Sequence, residues 1–503
     1  MKNVGLAYVK GSVPGFENFG NLPTSLVKSN GLIGGIKASK TLDALIIPGG
    51  TVIESRDVSD DFKKEIKMMA SEGKPIIGIC AGFQILSNKI DIGRKSPCPI
   101  EKEGMGLINV SFSPLITSDR VKATVYNNSF ITKNIKEDVS GYHCHTYGKV
   151  TGDAKALFYS KVQRMNYGDV DKKLFSGACN DDGNVIGTMI HNILDENPQI
   201  VENLFEYIGA TETEIDKIYK DNIEIKKELT KEIGINSNCP IQKLENPFLQ
   251  FKKQAGESPR ALMIGSTGSD SGKTFLITGL AGALRRRGLK VCLLKVGPDA
   301  RDIVPGLYLT KSPMEKYSSI KLGHLGWSDI KNTLEILKDS DYDIVLIEGV
   351  MSVFTGLLNE ITPYSASEIA ISSDIPLLLI SGVNKGGIES AAIDISSHAK
   401  ILESLGVSVK GIILNKVYNE EIFNNVVPFI KNKTGINDIF SIKKLKLEKR
   451  GNTPEIEIRY DLFSETALKT VEKELDIFKI ANMTKNIEFN KYLSYKEIIN
   501  IFK

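Results

Sequence analysis

A cysteine and a lysine, in two separate motifs, are the residues of this 503-residue chain best suited to chemistry. Cys80 lies in the segment GICAG, residues 78–82, directly after an apolar run. A strand that turns sharply into a helix exposes the residue at the turn at the carboxyl edge of a sheet. Lys273 lies near the end of a second motif, the small-residue loop GSTGSDSGKT at 265–274. Backbone amides in such a loop bind phosphate oxygens, and the lysine reaches the outer phosphates. These motifs predict a thiol nucleophile and a nucleoside triphosphate site in one chain.

The thiol needs a base and an oxyanion site, and the sequence offers candidates for both. The apolar run 185–190 ends at His191, which we expect to return to the sheet edge near Cys80 and to act as the base. The backbone amides of Gly50 and Ala81 are the predicted oxyanion donors, since both follow strand-like runs. His143 and His145 are close together in sequence, but no further metal ligands accompany them, so a metal site there is not favoured.

Polar residues at the ends of several apolar runs in the second half should surround the nucleotide. Carboxylate and hydroxyl oxygens suit Mg²⁺, and we expect it to contact Thr274, Asp270 and Glu348. Lys295, Asp299 and Asp302 are predicted to position the phosphoryl transfer, and Asn415 to read the base. The full predicted nucleotide set is Gly268, Ser269, Asp270, Ser271, Gly272, Lys273, Thr274 and Asn415.

Apolar runs of strand length alternate with helical patterns through both halves of the chain, which predicts open α/β folds with parallel sheets. A stretch rich in Lys, Glu, Asp and Asn separates the two halves. We therefore expect a first domain at 1–207, a charged and partly helical linker at 208–258, a second domain at 259–440 and a C-terminal extension at 441–503.

Composition excludes several classes of partner. The 64 basic and 61 acidic residues give a net charge of only +3, which indicates no nucleic-acid or anionic-membrane partner. No apolar stretch approaches the ~20 residues that span a bilayer, so we expect a cytoplasmic protein. The six cysteines are widely spaced, and neither a disulfide framework nor a zinc ribbon is indicated.

Four spaced motifs in the first half resemble those of the class I glutamine amidotransferase domain of cobyric acid synthase and its relatives, over roughly residues 1–207. They are PGG at 48–50, GICAGFQ at 78–84, GYxxH at 141–145 and GTxxH at 187–191. The resemblance implies a flavodoxin-like open sheet in which the cysteine attacks the glutamine amide, the histidine shuttles protons, and ammonia is released. This sequence departs from the pattern at Ile193, where many class I enzymes have a glutamate, and at His143, which replaces an acidic residue.

Two motifs in the second half look like those of the synthetase domain of cobyrinic acid a,c-diamide synthase, itself similar to dethiobiotin synthetase. They are KVGPDxxD at 295–302 and EGVMxxFxG at 348–356, and the resemblance covers about 259–430. It implies a P-loop NTPase-type parallel α/β domain in which ATP and Mg²⁺ phosphorylate a substrate carboxylate and ammonia displaces the phosphate. The phosphate-loop spacing, Ser352 and Thr355 differ from that family, and the order of the two domains is reversed.

These observations together predict a glutamine- and ATP-dependent amidotransferase acting on a small-molecule carboxylate, with glutamine as the ammonia donor. By analogy the acid is a tetrapyrrole, either a corrinoid or another metallated porphinoid. Two alternatives stay open at this point: an ATP-switched binding or assembly protein of the partitioning-ATPase type with a degenerate regulatory glutaminase, and a dethiobiotin-like ligase that acts without glutamine. A homodimer is also left open.

Overall fold

The computed structural model describes residues 1–8, 16–50, 58–94, 96–162, 172–232, 246–359, 362–384, 386–445 and 460–501. The chain forms two compact units, the first built from Met1–Gly234 and the second from Ile235–Leu447 with Phe463–Lys503. Parts of the predicted linker (233–245) and of the predicted C-terminal extension (446–459 and 502–503) lie outside the described residues.

The first unit is built around one large sheet flanked by helices. Its strands are β1 (Val4–Ala7), β2 (Ser25–Val27), β3 (Leu32–Ile33), β4 (Ile36–Lys37), β5 (Ala44–Ile47), β6 (Ile76–Ile79), β7 (Lys89–Asp91), β8 (Glu101–Glu103), β9 (Val110–Ser113), β10 (Arg120–Val125), β11 (Val139–Tyr142), β12 (Lys149–Gly152), β13 (Lys155–Val162), β14 (Lys172–Cys179) and β15 (Val185–Thr188). Its helices are α1 (Ala38–Thr41), α2 (Asp60–Ser71), α3 (Ala81–Leu86), α4 (Ile193–Glu196), α5 (Pro198–Ile208) and α6 (Glu212–Glu232), with a 3₁₀ turn at Phe19–Asn21.

The large sheet has the order β11-β10-β13-β14-β15-β6-β5-β1-β2. Strands β2, β1, β5, β6 and β15 are parallel, and the remaining four are antiparallel. The central strands β5 and β6 are buried throughout, as parallel strands covered on both faces must be. In β10 only Val121 and Ala123 are buried, with partly or fully exposed neighbours. The sheet is therefore mixed, and its antiparallel half lacks the continuous apolar runs from which the sequence predicted strands.

The second unit contains strands β16 (Arg260–Ser266), β17 (Val291–Val296), β18 (Ser319–Ile320), β19 (Ile344–Glu348), β20 (Leu377–Gly382), β21 (Val409–Val417), β22 (Ile439–Lys443) and β23 (Lys485–Asn486). Its helices are α7 (Lys273–Arg286), α8 (Val304–Thr310), α9 (Ile330–Lys338), α10 (Ala366–Ser372), α11 (Gly387–Ser404), α12 (Glu420–Thr434), α13 (Tyr460–Glu474), α14 (Ile477–Asn482) and α15 (Tyr495–Ile501), with 3₁₀ turns at Asn246–Phe251 and Ala300–Ile303.

Seven strands of the second unit form a parallel sheet in the order β18-β17-β19-β16-β20-β21-β22, and β23 adds an antiparallel pair to β16. The register pairs Lys295 with Glu348 across β17 and β19, and Gly382 with Asn415 across β20 and β21. Parallel strands end at the same edge, so these residues lie along the carboxyl edge that also carries the loop after β16. Ligands of open α/β sheets bind at that edge.

The segments before and after the predicted second domain are partly helical, with α6 making contacts in the first unit and α13 in the second. Helix α6, inside the predicted linker, belongs to the first unit, where Asn222 donates a hydrogen bond to the carbonyl of Pro23 (2.9 Å). In the second unit, Ser464 of α13 donates to the carbonyl of Pro305 (2.8 Å). Among the described residues, no helix is both long and apolar enough to cross a membrane.

Candidate functional site

Cys80 lies at a strained turn between β6 and α3. Its backbone has φ 49° and ψ −104°, a conformation that non-glycine residues seldom adopt. Such strain costs about 1–3 kcal/mol and persists only where the surrounding structure holds it. Part of that support is the hydrogen bond from the Cys80 amide to the carbonyl of Thr188 at the end of β15 (2.7 Å). The turn has the sharp strand-to-helix geometry that the spacing of GICAG predicts.

His191 and Cys80 meet at the carboxyl edge of the first sheet. A Cβ placed on Gly49 would lie 2.6 Å from Cε1 of His191 and 3.5 Å from Cβ of Cys80, so both side chains crowd this glycine. Nε2 of His191 is buried and makes no hydrogen bond of regular geometry with any described residue. The Cys80 thiol is nevertheless close enough to act on the imidazole both by its charge and as a hydrogen-bond partner. A cysteine and its base are thus brought together across 111 residues of sequence.

Glu17 supplies a third member of this group. Its Oε1 lies 2.5 Å from Nδ1 of His191, and its Oε2 accepts a hydrogen bond from the amide of Asn192 (3.2 Å). Both carboxylate oxygens of Glu17 are therefore used in contacts with His191 and Asn192. The Glu17 side chain is only 1% exposed, and a buried carboxylate needs such partners. The arrangement fixes the ring orientation of His191 and leaves Nε2 directed to the thiol.

Charge around His191 outweighs its burial. Burial alone would lower the pKa of the imidazole, but the negative charges of Glu17 and Cys80 raise that pKa from 6.5 to about 10. His191 therefore holds its proton at neutral pH. In that state the imidazole can donate a proton to a leaving group.

Aromatic contacts and a second carboxylate hold this group in place. Tyr142 stacks on His191 with ring centroids 5.4 Å apart, and Phe16 meets the same ring edge-on at 5.7 Å. Asp195 accepts hydrogen bonds from the amides of Asn18 and Gly20 (2.8 and 2.7 Å), which anchors the segment that carries Glu17. The third member thus belongs to a fixed, packed segment.

His143 and His145 form a buried polar network. Thr117 Oγ1 lies 3.2 Å from Nδ1 of His143 and 2.5 Å from Nε2 of His145. Nε2 of His143 lies 3.0 Å from the hydroxyl of Ser160. Burial and the nearby charge of His191 lower the pKa of His143 to about 3, so this ring is neutral. These contacts give the His-Cys-His segment a structural role.

In the second unit, the loop between β16 and α7 wraps around the start of the helix. The hydroxyls of Ser266 and Ser271 both donate to the carbonyl of Gly268 (2.8 and 2.7 Å). Gly272 has φ 91°, and a Cβ there would lie 2.2 Å from Nδ2 of Asn415. The glycine is therefore required both by its backbone conformation and by this close approach. The loop is closed around a position where the first amides of α7 can face an anion.

Lys273 is a buried cation whose direct partners are neutral oxygens. Its Nζ donates to Ser266 Oγ (2.8 Å) and to the carbonyl of Met351 (2.9 Å). Burial and the charge of Lys295 lower its pKa to about 8, against the opposing effect of Glu348. The positive charge of Lys273 is only partly balanced by its surroundings. A phosphate group bound in this loop would supply the missing negative charge.

Glu348, at the end of β19, is the carboxylate of this site. Its Oε1 accepts from Thr274 Oγ1 (2.8 Å) and from Lys295 Nζ (3.3 Å). Oε2 is buried and has no hydrogen-bond partner among the described residues. Burial raises the pKa of Glu348, and the charge of Lys295 opposes that shift. An unpaired carboxylate oxygen next to a threonine hydroxyl is the donor set that Mg²⁺ takes beside a phosphate chain.

Lys295 joins Glu348 to Asp302. Its Nζ lies 2.7 Å from Asp302 Oδ2 and also donates to the carbonyl of Gly349 (3.1 Å). The negative charges of Asp302 and Glu348 outweigh burial and raise the pKa of Lys295 well above its usual range. Asp299 is paired instead with Arg301 (2.8 Å). Lys295 is therefore a permanently charged group at the same edge as Lys273.

Two domain families match this chain, one to each half. Residues 14–199 match the CobB/CobQ-like glutamine amidotransferase domain, and residues 262–450 match the CobQ/CobB/MinD/ParA nucleotide binding domain. The chain joins a glutamine amidotransferase domain to a nucleotide-binding domain. The amidotransferase domain comes first, in the order that the motifs predict.

Known proteins with partial matches include a cobyric acid synthase and a cobyrinate a,c-diamide synthase. The cobyric acid synthase of Thermoanaerobacter sp. (strain X514) is 30% identical over 212 residues, which is 37% of this chain and 41% of that protein. The cobyrinate a,c-diamide synthase of Syntrophotalea carbinolica is 36% identical over 156 residues, 31% of this chain and 32% of that protein. The matches thus span less than half the length of either relative.

Solved structures with partial similarity match only part of this chain. PurLQS from Thermotoga maritima is 21% identical, covering 41% of this chain and all of that chain with a TM-score of 0.30. The MinD cell division protein of Aquifex aeolicus is 20% identical, covering 43% of this chain and 98% of that chain with a TM-score of 0.27.

The structure brings most of the sequence-predicted site residues together at two sheet edges. In the amidotransferase domain, Cys80, His191 and Ala81 lie at one edge, and Gly50 (φ 153°) lies in the loop after β5. In the nucleotide-binding domain, the predicted loop residues join Glu348, Lys295 and Asp302. Asp299 is turned to Arg301, and Ser269 and Asp270 are exposed at the tip of the loop.

Sequence reasoning missed Glu17 because no motif marks it. The expected position for an orienting glutamate is two residues after the histidine, and residue 193 is isoleucine. The segment that carries Glu17 is held in place by Asp195, which accepts hydrogen bonds from the amides of Asn18 and Gly20. That contact joins segments about 175 residues apart and depends on the folded sheet.

We expect replacement of Glu17 by glutamine to lower the kcat of glutamine hydrolysis about 100-fold with little change in KM, since general acid–base positioning contributes about 10²–10⁴-fold. Loss of the Glu17 charge also lowers the pKa of His191. The imidazolium form exists below that pKa and is lost as pH rises through it. The alkaline limb of the pH–rate profile should therefore move to lower pH.

The matched control is Glu202→Gln, which changes an exposed glutamate on α5. Glutamate release across a pH series measures both effects. A Glu17→Gln enzyme with lower activity and an unmoved alkaline limb would contradict the role assigned to the carboxylate and would leave only a structural one.

Proposed function

We propose that this chain is a glutamine-hydrolysing, ATP-dependent amidotransferase that converts a substrate carboxylate to a carboxamide. The observation that supports this most strongly is the Cys80–His191–Glu17 group. It gives the amidotransferase domain a nucleophile, a proton carrier and an orienting carboxylate within contact distance. Amide formation from a free carboxylate is uphill in water, and the nucleotide-binding domain would supply the activation.

In the first half-reaction, the Cys80 sulfur attacks the side-chain carbonyl carbon of glutamine. The backbone amides at Gly50 and Ala81 stabilise the oxyanion, and loss of one such donor typically costs about 3 kcal/mol of barrier. His191 gives its proton to the departing amide nitrogen, so ammonia leaves and a glutamyl thioester forms. The same histidine then takes a proton from the water that hydrolyses the thioester, and glutamate is released.

In the second half-reaction, the substrate carboxylate attacks the terminal phosphorus of ATP to give an acyl phosphate and ADP. Lys273 neutralises the phosphate chain, and Lys295 holds a second positive charge beside it. Thr274 and Glu348 would hold Mg²⁺, which supplies charge neutralisation at the phosphates; Asp270, exposed at the loop tip, is a further proposed ligand. Ammonia then attacks the acyl carbon and phosphate departs.

A tetrapyrrole acid is the acceptor we propose, because the two partial relatives are named cobyric acid synthase and cobyrinate a,c-diamide synthase. We infer a corrinoid or a related metallated porphinoid. The alternative of an ATP-switched assembly protein with a degenerate glutaminase has weaker support, since Cys80, His191 and Glu17 form a complete catalytic group.

A mass-spectrometric screen tests this proposal. The full chain is incubated with ATP, Mg²⁺, [amide-¹⁵N]glutamine and a set of metallated tetrapyrrole acids. The expected result is a product in which ¹⁵N-amide replaces one or more carboxylates only when ATP is present. Labelling of a non-tetrapyrrole acid in the same assay would contradict the acceptor class while supporting the chemistry. Glutamate release that never labels an acid, in tetrapyrrole and general carboxylate sets alike, would contradict the synthetase role.

A further inference from the structure

The predicted base-reading residue, Asn415, is committed to the phosphate loop. Its Nδ2 donates to the carbonyl of Ser271 (2.8 Å), and its Oδ1 accepts from the amide of Lys416 (2.9 Å). The same Nδ2 lies against Gly272, where a Cβ would be only 2.2 Å away. Asn415 therefore supports the phosphate loop, and its predicted contact with the base would have to be made from this fixed position.

Lys416 makes a second tie between the end of β21 and the loop. Its Nζ donates to the carbonyl of Asp270 (2.6 Å). The backbone of Lys416 has φ 64°, the left-handed conformation, which interrupts the extended strand. A strained residue of this kind is retained where its surroundings hold it. Two successive residues of β21 thus hold two successive carbonyls of the phosphate loop.

The strand order of the second sheet indicates on which side of the phosphate loop the base of a bound nucleotide would lie. Strand β16, which leads into the loop, has β19 and β17 on one side and β20 and β21 on the other. Glu348 and Lys295, the groups for the outer phosphates, end β19 and β17. A nucleotide whose terminal phosphate lies on that side extends its base toward the ends of β20 and β21.

Tyr418 is the aromatic residue at that end. It directly follows β21 and is 58% exposed, so its ring is accessible to a ligand at this edge. Its hydroxyl lies 3.6 Å from the position that a Cβ on Gly387 would occupy, at the start of α11. The side chain therefore reaches from the end of β21 to the start of the helix that follows β20.

We propose that Tyr418 is the residue on which the nucleotide base stacks, with Asn415 and Lys416 as positioning residues that hold the phosphate loop beside it. The inference rests on the nucleotide binding assumed in the proposed function. Every base presents a π-face, and stacking on an aromatic ring contributes measurably to nucleotide affinity. A purine, with the larger face, suits this surface best.

Binding of two probes by the full chain tests the assignment. Mg-ATP and Mg-tripolyphosphate share the phosphate chain, and only ATP has a base. We expect Tyr418→Ala to raise the Kd for ATP about tenfold or more, which is a loss of about 1.4 kcal/mol, and to change the Kd for tripolyphosphate less than twofold. Tyr418→Phe, which keeps the ring, should bind both probes as the wild-type chain does.

Each result decides the matter. An unchanged ATP affinity in Tyr418→Ala would overturn the stacking role, as would an equal loss for both probes. Either outcome leaves the nucleotide site itself standing, provided the wild-type chain binds ATP. A wild-type chain that binds neither probe would overturn the base site together with the synthetase half of the proposed function.

Discussion

Replacement of Cys80 by alanine is expected to lower glutamine-dependent activity by at least about 10³-fold, because the thioester cannot form without the sulfur. Activity with added ammonia in place of glutamine should remain, since ammonia enters after the step that the cysteine performs. Alanine also suits the buried position, where Cys80 is 5% exposed. The two nitrogen sources are compared in one amidation assay with the labelled product as the readout.

A glutamine analogue that alkylates the nucleophile provides an independent measurement. A diazoketone analogue should label Cys80 in the wild-type chain, as seen by peptide mass spectrometry, and should leave Cys80→Ala unlabelled. Cys98→Ser is the matched control, because Cys98 is an exposed free thiol outside the site. A folded Cys80→Ala chain that has lost amidation activity with both glutamine and ammonia would contradict the assignment of glutamine hydrolysis and amide synthesis to separate domains.

Replacement of Lys273 by alanine should have the reciprocal effect. We expect ATP-dependent amidation to fall by about 10³-fold, because the charge that neutralises the phosphates is lost in a buried site. Glutamate release from glutamine in the absence of ATP should stay within about twofold of wild type. Parallel assays of product amide and of glutamate measure the two activities.

Lys290→Ala is the matched control for Lys273. Lys290 is an exposed lysine of the same unit, paired with Asp341 rather than with the phosphate loop. A Lys273→Ala chain that still makes amide from ATP at the wild-type rate would exclude the phosphate role. Equal loss of both activities would contradict the independence of the two active groups.

The candidate site residues that follow continuous apolar strands could be predicted from the sequence. Cys80, His191, Lys273 and Glu348 each lie at the end of a strand or of the loop that follows it. The carboxyl ends of parallel strands lie at the same edge of a sheet. The position of each residue at the end of a strand is therefore enough to predict that these residues lie near one another within each domain. The two-domain α/β architecture follows from the same pattern.

Contacts that depend on the three-dimensional path could not be predicted in this way. Glu17 reaches His191 across 174 residues, from a segment held by Asp195. The antiparallel strands β10 and β13 have alternating or mixed burial and lack the buried runs of β5 and β6. The hydrogen bond by which the Asn415 amide holds the carbonyl of Ser271 joins β21 to the phosphate loop across 144 residues. Each case depends on which segments meet, and local composition carries no record of that.

The candidate sites of the two domains share one physical feature. Each contains a buried basic side chain, His191 in the first and Lys273 in the second. His191 has its pKa raised to about 10 by Glu17 and Cys80, and Lys273 has its pKa lowered to about 8 by burial and by Lys295. The first holds a proton ready for a leaving nitrogen. The second holds a cation that a phosphate would stabilise.

Glutamate release from glutamine by the purified full chain measures the proposed glutaminase activity and its dependence on Cys80. The wild-type chain and Cys80→Ala are assayed with and without Mg-ATP and with candidate tetrapyrrole acids. We expect glutamate from the wild-type chain and none from Cys80→Ala, with one glutamate formed per amide when ATP and the acceptor are present. No glutamate from the wild-type chain under any of these conditions would contradict the proposed glutaminase activity.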